Sequence, residues 1–551
     1  MSDKILLGSD ATALIEAVLD KVDRAVTSTM GPDGQVALIG SGDSSWTTKD
    51  GVTVAKSLRF DSPEEEIVNR IISEPAIKTD DECGDGTTTT IKLMTIIYRL
   101  LREDNSFKAR KRVERIVGML IGALQKQATF VKLEDELLYR VALTTSNQDE
   151  DLANKVMEIY RGCEKGYPDV EIKPGRGAGD LVERIDGRVV NMYLADQWFA
   201  GDNNANKVKL DRYVPVIVDD RILRASPEDL YQGIMNIRNQ LGDDLDGAGN
   251  PYKTPIVLVV RSIEKDPINL ISNLVINNEI LNKFNRGRQP GVIVAMTNLG
   301  GGLGAAEMQD IGSVLGAPYA NGLEALKSVQ VQARTAPLVI GVSRSSIHDL
   351  SAEDVARIDV RIGAIEEEIA GYSYADRFTT RARINERRIR RLRGEVVTIL
   401  VGGETNQEIK ERVDRYQDVV KAVRSALENG VLPGCGMGLI NAARLVDRAL
   451  GLPEEKRIAR VIGLGVYTQL MAKHLPENFE VSDIQLELPI INIATGDEMD
   501  ASDLNSLAVW DTAYATITAL KGGFQTAQIL ATASSVFNTS KLHGRSVVTG
   551  H

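Results

Sequence analysis

The stretch Asp85-Gly86-Thr87-Thr88-Thr89-Thr90 gathers a carboxylate, a glycine and four hydroxyls directly before an apolar run. That run keeps a helical stripe of Ile91, Leu93, Met94, Ile97, Tyr98 and Leu101, so the cluster stands where a helix begins. The first amides of a helix lack internal partners, and its dipole favours negative charge there. This is the chemistry of phosphate docking. Threonine hydroxyls add hydrogen bonds, and a carboxylate such as Asp85 suits the Mg²⁺ that accompanies phosphates. Taken alone, the cluster is explained better by a threonine N-cap after a turn. The other segments have to decide.

Three of them bring glycines or carboxylates to turns. Met30-Gly31-Pro32-Asp33-Gly34 ends the first helical pattern with two glycines, whose bare backbones can approach phosphates closely. Lys49-Asp50-Gly51 puts a carboxylate on a turn, and Gly434-Cys435-Gly436 precedes an apolar helix. Each is ordinary in isolation: a plain turn, a hairpin turn and a helix-start turn. No GxxxxGK[ST], GxGxxG or GxSxG occurs, so neither a P-loop, a dinucleotide fingerprint nor a nucleophile elbow is available.

The elements that must position these residues form a nested order. A chain of 551 residues suggests roughly two to four domains. It opens helically from about Ala11 to Ser28, with short β-like pieces at Val36–Ile39 and Trp46–Thr48. Helices resume from about Glu64 to Leu124. The apolar runs Val214–Val218, Pro255–Val260 and Gly291–Ala295, with helical segments between them, read as a buried sheet covered by helices. Arg377 to Arg393 is basic and reads as a solvated helix face. A long helix starts near Thr405, with Thr405 and Glu408 at capping-box spacing and Gly430 as C-cap. The last ~120 residues are helical like the first ~120. A helical start, an α/β middle and a helical end predict that both ends form one interrupted domain.

Bulk properties exclude several classes. The 43% apolar and 26% charged content is that of a globular protein. A net charge of -12 argues against general nucleic-acid binding. No apolar run reaches the ~20 residues of a membrane span, and the N-terminus lacks a signal pattern. Cys83, Cys163 and Cys435 read as reduced thiols in a cytosolic protein. The four histidines are scattered, which argues against a histidine metal cluster.

The joint order of the loops says more than any one of them. Thr29-Met30-Gly31-Pro32-Asp33-Gly34, then Thr48-Lys49-Asp50-Gly51-Val52-Thr53-Val54-Ala55, then Gly84-Asp85-Gly86-Thr87-Thr88-Thr89 resembles the nucleotide-binding first third of the chaperonins, in the group I, GroEL-like form. Gly302-Leu303-Gly304 with Met308-Gln309-Asp310-Ile311 resembles the family's apical segment. Asp418 followed by Glu428 to Gly436 resembles the helix and glycine turn that re-enter its equatorial domain. The match runs from about Ala11 to Phe537.

The resemblance implies a multidomain chaperonin fold. It has a mostly α-helical, discontinuous equatorial domain (1–128 and 429–551), a small α/β intermediate domain (129–185 and 397–428) and an α/β apical domain (186–396). It implies an ATP site in which Asp85 binds Mg²⁺, with K⁺ open as a second cation. Thr29, Met30, Gly31, Gly86, Thr87, Thr88 and Thr89 would hold the phosphates, and Lys49 would also bind ATP. Pro32 would lie against the base, with Gly434, Cys435, Asn492, Ile493, Ala494 and Asp511 around adenine and ribose. Asp418 would polarise the attacking water, with Asp50 beside it. Because Asp418 lies on the intermediate domain, ATP would complete its own site by drawing that domain down. By position alone Asp418 is a solvated helix carboxylate.

Non-native clients would bind the apical domain. The segment Ile268–Leu281 carries more apolar residues than one buried face needs. Ile271, Val275 and Ile276 fall on the family's substrate-binding helix, Leu230 and Ile234 on its neighbour, and Tyr193, Trp198 and Phe199 on the nearby loop. Ordinary core packing accounts for about half of them. The chain departs from the family where Asp33 replaces a lysine, Cys435 replaces a glycine and Gln197-Trp198-Phe199 carries one extra residue. It reads as a divergent member, with a virus or other mobile element as one source.

The expectation is an ATPase that assembles into a homo-oligomeric, seven-membered single or stacked double ring in the cytoplasm, the host's if virus-encoded. It binds non-native proteins and promotes folding through ATP-driven domain movement. Neither nucleic acid nor membrane is a partner, and the need for a co-chaperonin stays open. The alternative is a chaperonin-like scaffold or holdase with weak or no ATP hydrolysis. A metabolic ATP-dependent enzyme is the least supported.

Overall fold

The computed structural model describes residues 5–31, 34–41, 44–163, 168–184, 188–200, 206–222, 227–241, 254–277, 291–297, 304–342, 345–372, 380–394, 396–470, 490–491, 498–499 and 509–537. The chain divides into two compact units. One comprises Met1–Gly162, Ile172–Leu181 and Leu400–His551; the other comprises Cys163–Glu171 and Val182–Ile399. The first unit is therefore interrupted by the second, as the helical ends and α/β middle predict.

The first unit is helical. Ser9–Thr27, Pro63–Cys83, Thr87–Glu103, Phe107–Gln127, Met437–Ala449, Pro453–Leu470 and Ala513–Thr532 enclose one apolar core. Each amphipathic stripe buries its apolar side; in the first helix these are Ile15, Val18, Leu19, Val22 and Val26. Helix Ala513–Thr532 lies closely on Thr87–Glu103: a Cβ placed on Gly523 would stand 3.0 Å from the Met94 amide and 3.1 Å from the Thr90 carbonyl oxygen. Only glycine allows two backbones so near. Strands Ala37–Ser41 and Ser44–Thr48 pair antiparallel as a hairpin. The long helix Asn406–Asn429 begins at the Thr405 cap, whose hydroxyl accepts from the Glu408 amide, and ends at Gly430 in the left-handed region. The Glu408 carboxylate accepts from the Glu404 amide instead of closing the box on Thr405.

The second unit holds the three sequence-predicted strands side by side. Val214–Ile222, Ile256–Ile263 and Val292–Met296 are parallel, with Ile256 opposite both Val214 and Val292. Tyr319–Ala320 and Tyr193–Leu194 complete the five-stranded sheet. A four-stranded antiparallel sheet of Arg188–Val190, Ser345–Ile347, Leu338–Gly341 and Lys207–Leu210 joins the same core.

The arginine-rich segment is not a solvated face. It forms the helix Thr380–Arg393, in which Arg388 and Arg390 are buried. Arg388 donates Nε to Asp310 Oδ2 at 2.6 Å and Nη2 to Asp310 Oδ1 at 2.9 Å. Arg361 donates to the same carboxylate at 2.8 Å. A planar guanidinium that finds a bidentate carboxylate is carried into the interior with it.

Candidate nucleotide site

The start of helix Thr87–Glu103 shows what the threonines do not do. Its N-cap is Gly86, at φ 94°, and no side chain caps it. The threonine-cap reading therefore fails: Thr87 to Thr90 are the first four helical residues. Thr90 turns its hydroxyl back to the Gly86 carbonyl at 2.8 Å. Thr87 is buried, Thr88 and Thr89 half-buried. Among the described residues, the Thr88 and Thr89 hydroxyls form no hydrogen bond within the protein. The open amides and hydroxyls thus point a set of donors at one place.

Carboxylates surround that place. Asp85 accepts from the Gly86 amide at 2.6 Å. Burial pushes its carboxyl above the usual range against that hydrogen bond, and the Asp50 charge raises it further. Asp50 does not sit in a hairpin turn; it caps helix Gly51–Ser57. It accepts from the Val52 amide at 3.0 Å, the Thr53 amide at 2.9 Å and the Thr53 hydroxyl at 2.6 Å. Gly51 then packs between helices: a Cβ there would lie 2.9 Å from Thr88 and 3.5 Å from Val26. This brings the Asp50 cap, the start of helix Thr87–Glu103 and the end of the first helix together. In the loop after that first helix, Thr29 donates its hydroxyl to Val26 at 2.9 Å and the Met30 amide donates to Thr27 at 3.1 Å. Gly31 takes φ 76° and Lys49 is exposed.

Asp511 lies on strand Trp510–Thr512, opposite Leu432. Its pKa is pushed up to about 7 by burial and then by the Asp85 charge. Cys435 sits at φ 54°, and its thiol is pushed up to about 12 by burial and by Asp511. Pro32, Asn492, Ile493 and Ala494 lie outside the described residues.

Asp418 completes the ring of acids. Its backbone abuts the turn before Asp85: a Cβ on Gly84 would stand 2.9 Å from the Asp418 Cα and 2.8 Å from the Lys421 Cβ. Its carboxyl is pushed up to about 9, by burial first and then by Asp80, with Asp50 and Asp85 adding to the rise. It is not the solvated carboxylate its position alone suggests. Sequence reasoning missed three neighbours. Asp80, raised to about 6 by burial and by surrounding acids, lies one turn before the end of its helix. Asp414 is raised by burial, with Asp50 adding to the rise. Lys421 reaches both Asp80, at 3.6 Å, and Asp418, at 3.9 Å. The spacing of Asp414, Asp418 and Lys421 on one helix face was the available signal. Among the described residues, no three His, Cys, Asp or Glu side chains converge enough to hold a metal by themselves.

Comparison with known proteins decides the family. The fold matches the crystal structure of the chaperonin gp146 from the bacteriophage EL 2 (Pseudomonas aeruginosa) in presence of ATP-BeFx, crystal form I. The TM-score is 0.85 at 39% identity, over 98% of this chain and 99% of that one. The chain belongs to the chaperonin family. Crystal form II of the same phage protein gives a TM-score of 0.74 at the same identity and coverage. Residues 22–161 match the model of the TCP-1/cpn60 chaperonin family. Chaperonin GroEL 1 of Rhodopirellula baltica is 25% identical over 466 residues, 81% of this chain and 75% of that protein.

This is a divergent, group I-like chaperonin, an ATP-dependent one and an ATPase. In the second unit of the chaperonin, Leu230, Ile234, Ile271 and Phe199 are fully buried in the core. For these four the core alternative holds in this conformation, because each fills the space between the sheet and its covering helices. Trp198 is half-buried and packs edge-on to Phe199 at 5.2 Å; Tyr193 is half-buried on the edge strand. Val275 and Ile276 lie on helix Lys265–Asn277. No described helix is long and apolar enough to cross a membrane.

Proposed function

We propose that this chaperonin hydrolyses ATP at the acidic cleft around Asp85. The carrying observation is the convergence of Asp50, Asp80, Asp85 and Asp418 on an uncapped helix start, with Lys421 between two of them. The phosphates dock on the amides and hydroxyls of Thr87, Thr88 and Thr89 and on the Thr29–Gly31 loop. Gly434, Cys435 and Asp511 form the nucleoside side. Asp85 would hold Mg²⁺ together with the bound phosphates, and the ion would neutralise charge on the transferred group. Asp418 orients and polarises the attacking water, with Asp50 beside it, each held by its helix. Their neighbour Lys421 keeps the cleft from being wholly anionic.

The equatorial part would be 1–128 and 429–551, the intermediate part 129–185 with 397–428, and the apical part 186–396. The apical part binds non-native proteins, and subunits assemble into rings, seven-membered by the family reading. The compartment would be the cytoplasm, that of a host cell if the chain is virus-encoded.

Replacing Asp418 with Ala tests the site. Turnover should fall roughly 10²-fold or more while nucleotide affinity stays within about threefold. Wild-type turnover would remove Asp418 from its role. Particle images with and without ATP give ring number and closure, and aggregation of a denatured client gives chaperone action.

A further inference from the structure

Asp180 is not part of the proposed ATP cleft, yet it is a buried carboxylate with four donors beside the helix that carries Asp418. Its side chain is 0% exposed. It accepts from the Tyr416 hydroxyl at 2.6 Å, the Arg412 guanidinium at 2.7 Å, the Gly402 amide at 3.0 Å and the Lys155 ammonium at 3.1 Å. These donors come from three segments of the first unit: helix Glu150–Arg161, the turn after strand Val396–Val401, and helix Asn406–Asn429. Burial pushes the Asp180 carboxyl up, but the bonds from Tyr416, Gly402 and Lys155 outweigh it and leave it below the usual range. Breaking one member of such a buried set leaves charge without a partner.

The grip has a direction. With 3.6 residues per turn, Arg412 and Tyr416 share one side of helix Asn406–Asn429. Asp414, Asp418 and Lys421 share the side about 190° away, facing the cleft. Asp180 therefore holds the back of the helix whose front completes the ATP site. Tyr416 is fully buried, so the helix cannot turn about its axis without breaking the Asp180 set. One hydrogen bond and one cation–π contact add to the grip on the same helix: Tyr160 donates to the Val420 carbonyl at 3.0 Å, and the Lys410 ammonium lies 5.9 Å from the Trp46 ring centroid.

We infer that Asp180 is a positioning residue for ATP hydrolysis: through Tyr416 and Arg412 it sets the rotation of the helix that presents Asp418. Asp180 stands one residue before Leu181, where the chain leaves the first unit for the second time, and Gly402 two residues after Leu400, where it finally returns. The carboxylate thus ties these two crossings to the catalytic helix. The inference rests on the reading of Asp418 given above.

The test uses the full-length assembled protein with Asp180→Asn, Asp418→Ala and the double variant. Asp180→Asn should lower kcat roughly tenfold with the affinity for a fluorescent ADP analogue within about threefold of wild type. In the Asp418→Ala background it should lower the residual rate no further, because residues acting as a unit are not additive. An unchanged kcat, or an equal fall in both backgrounds, overturns the inference. Should Asp180→Asn fail to fold, Tyr416→Phe keeps the shape and removes one bond. A fall in kcat of about threefold at unchanged affinity then supports the inference, and unchanged kcat overturns it. Asp418→Ala with wild-type turnover overturns the reading beneath it. Asp418→Ala inactive with Asp180→Asn normal overturns the inference alone.

Discussion

Gly84 and Asp418 touch backbone to backbone: a single methyl on Gly84 would meet the Asp418 Cα at 2.9 Å as well as its carbonyl oxygen. The helix carrying Asp418 is therefore already seated on the turn before Asp85 in this conformation. Gly84→Ala would also force a side chain into φ 68°, a cost of about 1 kcal/mol or more. Turnover at saturating ATP should drop roughly tenfold or more as Asp418 is displaced. A steady-state assay showing wild-type turnover would sink the idea that this contact seats the helix.

The raised acids set a pH dependence. Asp80, Asp511 and Asp418 have pKa values of about 6, 7 and 9, above the unfolded value of about 3.9. A carboxyl raised by folding stabilises the fold in its protonated form. That contribution is complete below the unfolded pKa and is lost as pH climbs through 6, 7 and 9. The opposite case, Asp180 and Asp354, concerns only acid pH. Nucleotide-free protein should thus melt at lower temperature at pH 9 than at pH 6, and Mg²⁺ with nucleotide should narrow the gap. Thermal scans that show stability rising from pH 6 to 9 would contradict the assignment.

Arg388 in the second unit offers a stability test. It is buried and doubly bonded to Asp310, with a third bond from Nη1 to Asn385 at 2.8 Å. Removing one partner of a buried pair costs about 3 kcal/mol or more, against ~0–1 kcal/mol at a solvated face. Arg388→Met should lower the urea midpoint of the apical transition accordingly. A change under about 1 kcal/mol would return this segment to the solvent.

Cys435 holds a left-handed backbone, φ 54°, where a glycine would be relaxed. Cys435→Gly should raise stability by about 1 kcal/mol. Calorimetry showing destabilisation would mean that the buried thiol packs better than its backbone is strained.

The sequence made local periodicity and turn chemistry visible, and those elements stand where they were expected. The stripe from Ile91 to Leu101, the strands around Val214, Ile256 and Val292, and the Thr405 cap are examples. What stayed hidden depends on partners far along the chain. Lys421 meets Asp80 across 341 residues, and Arg388 meets Asp310 across 78. A run of arginines looks solvated until its distant carboxylate is known. Asp418 likewise gains meaning only beside Gly84; the motif order of a known family, not any local pattern, pointed to it.

Helix Ala513–Thr532 lies against the helix that begins at Thr87, and Asp511 stands just before it. Some 400 residues separate the two, and synthesis at ~5–20 residues per second spans roughly 20–80 seconds between them. Throughout that interval helix Thr87–Glu103 lacks the neighbour that buries it. On the proposed reading, the nucleotide site therefore forms only after that helix has been made, and a chain stopped before Ala513 should not bind nucleotide there.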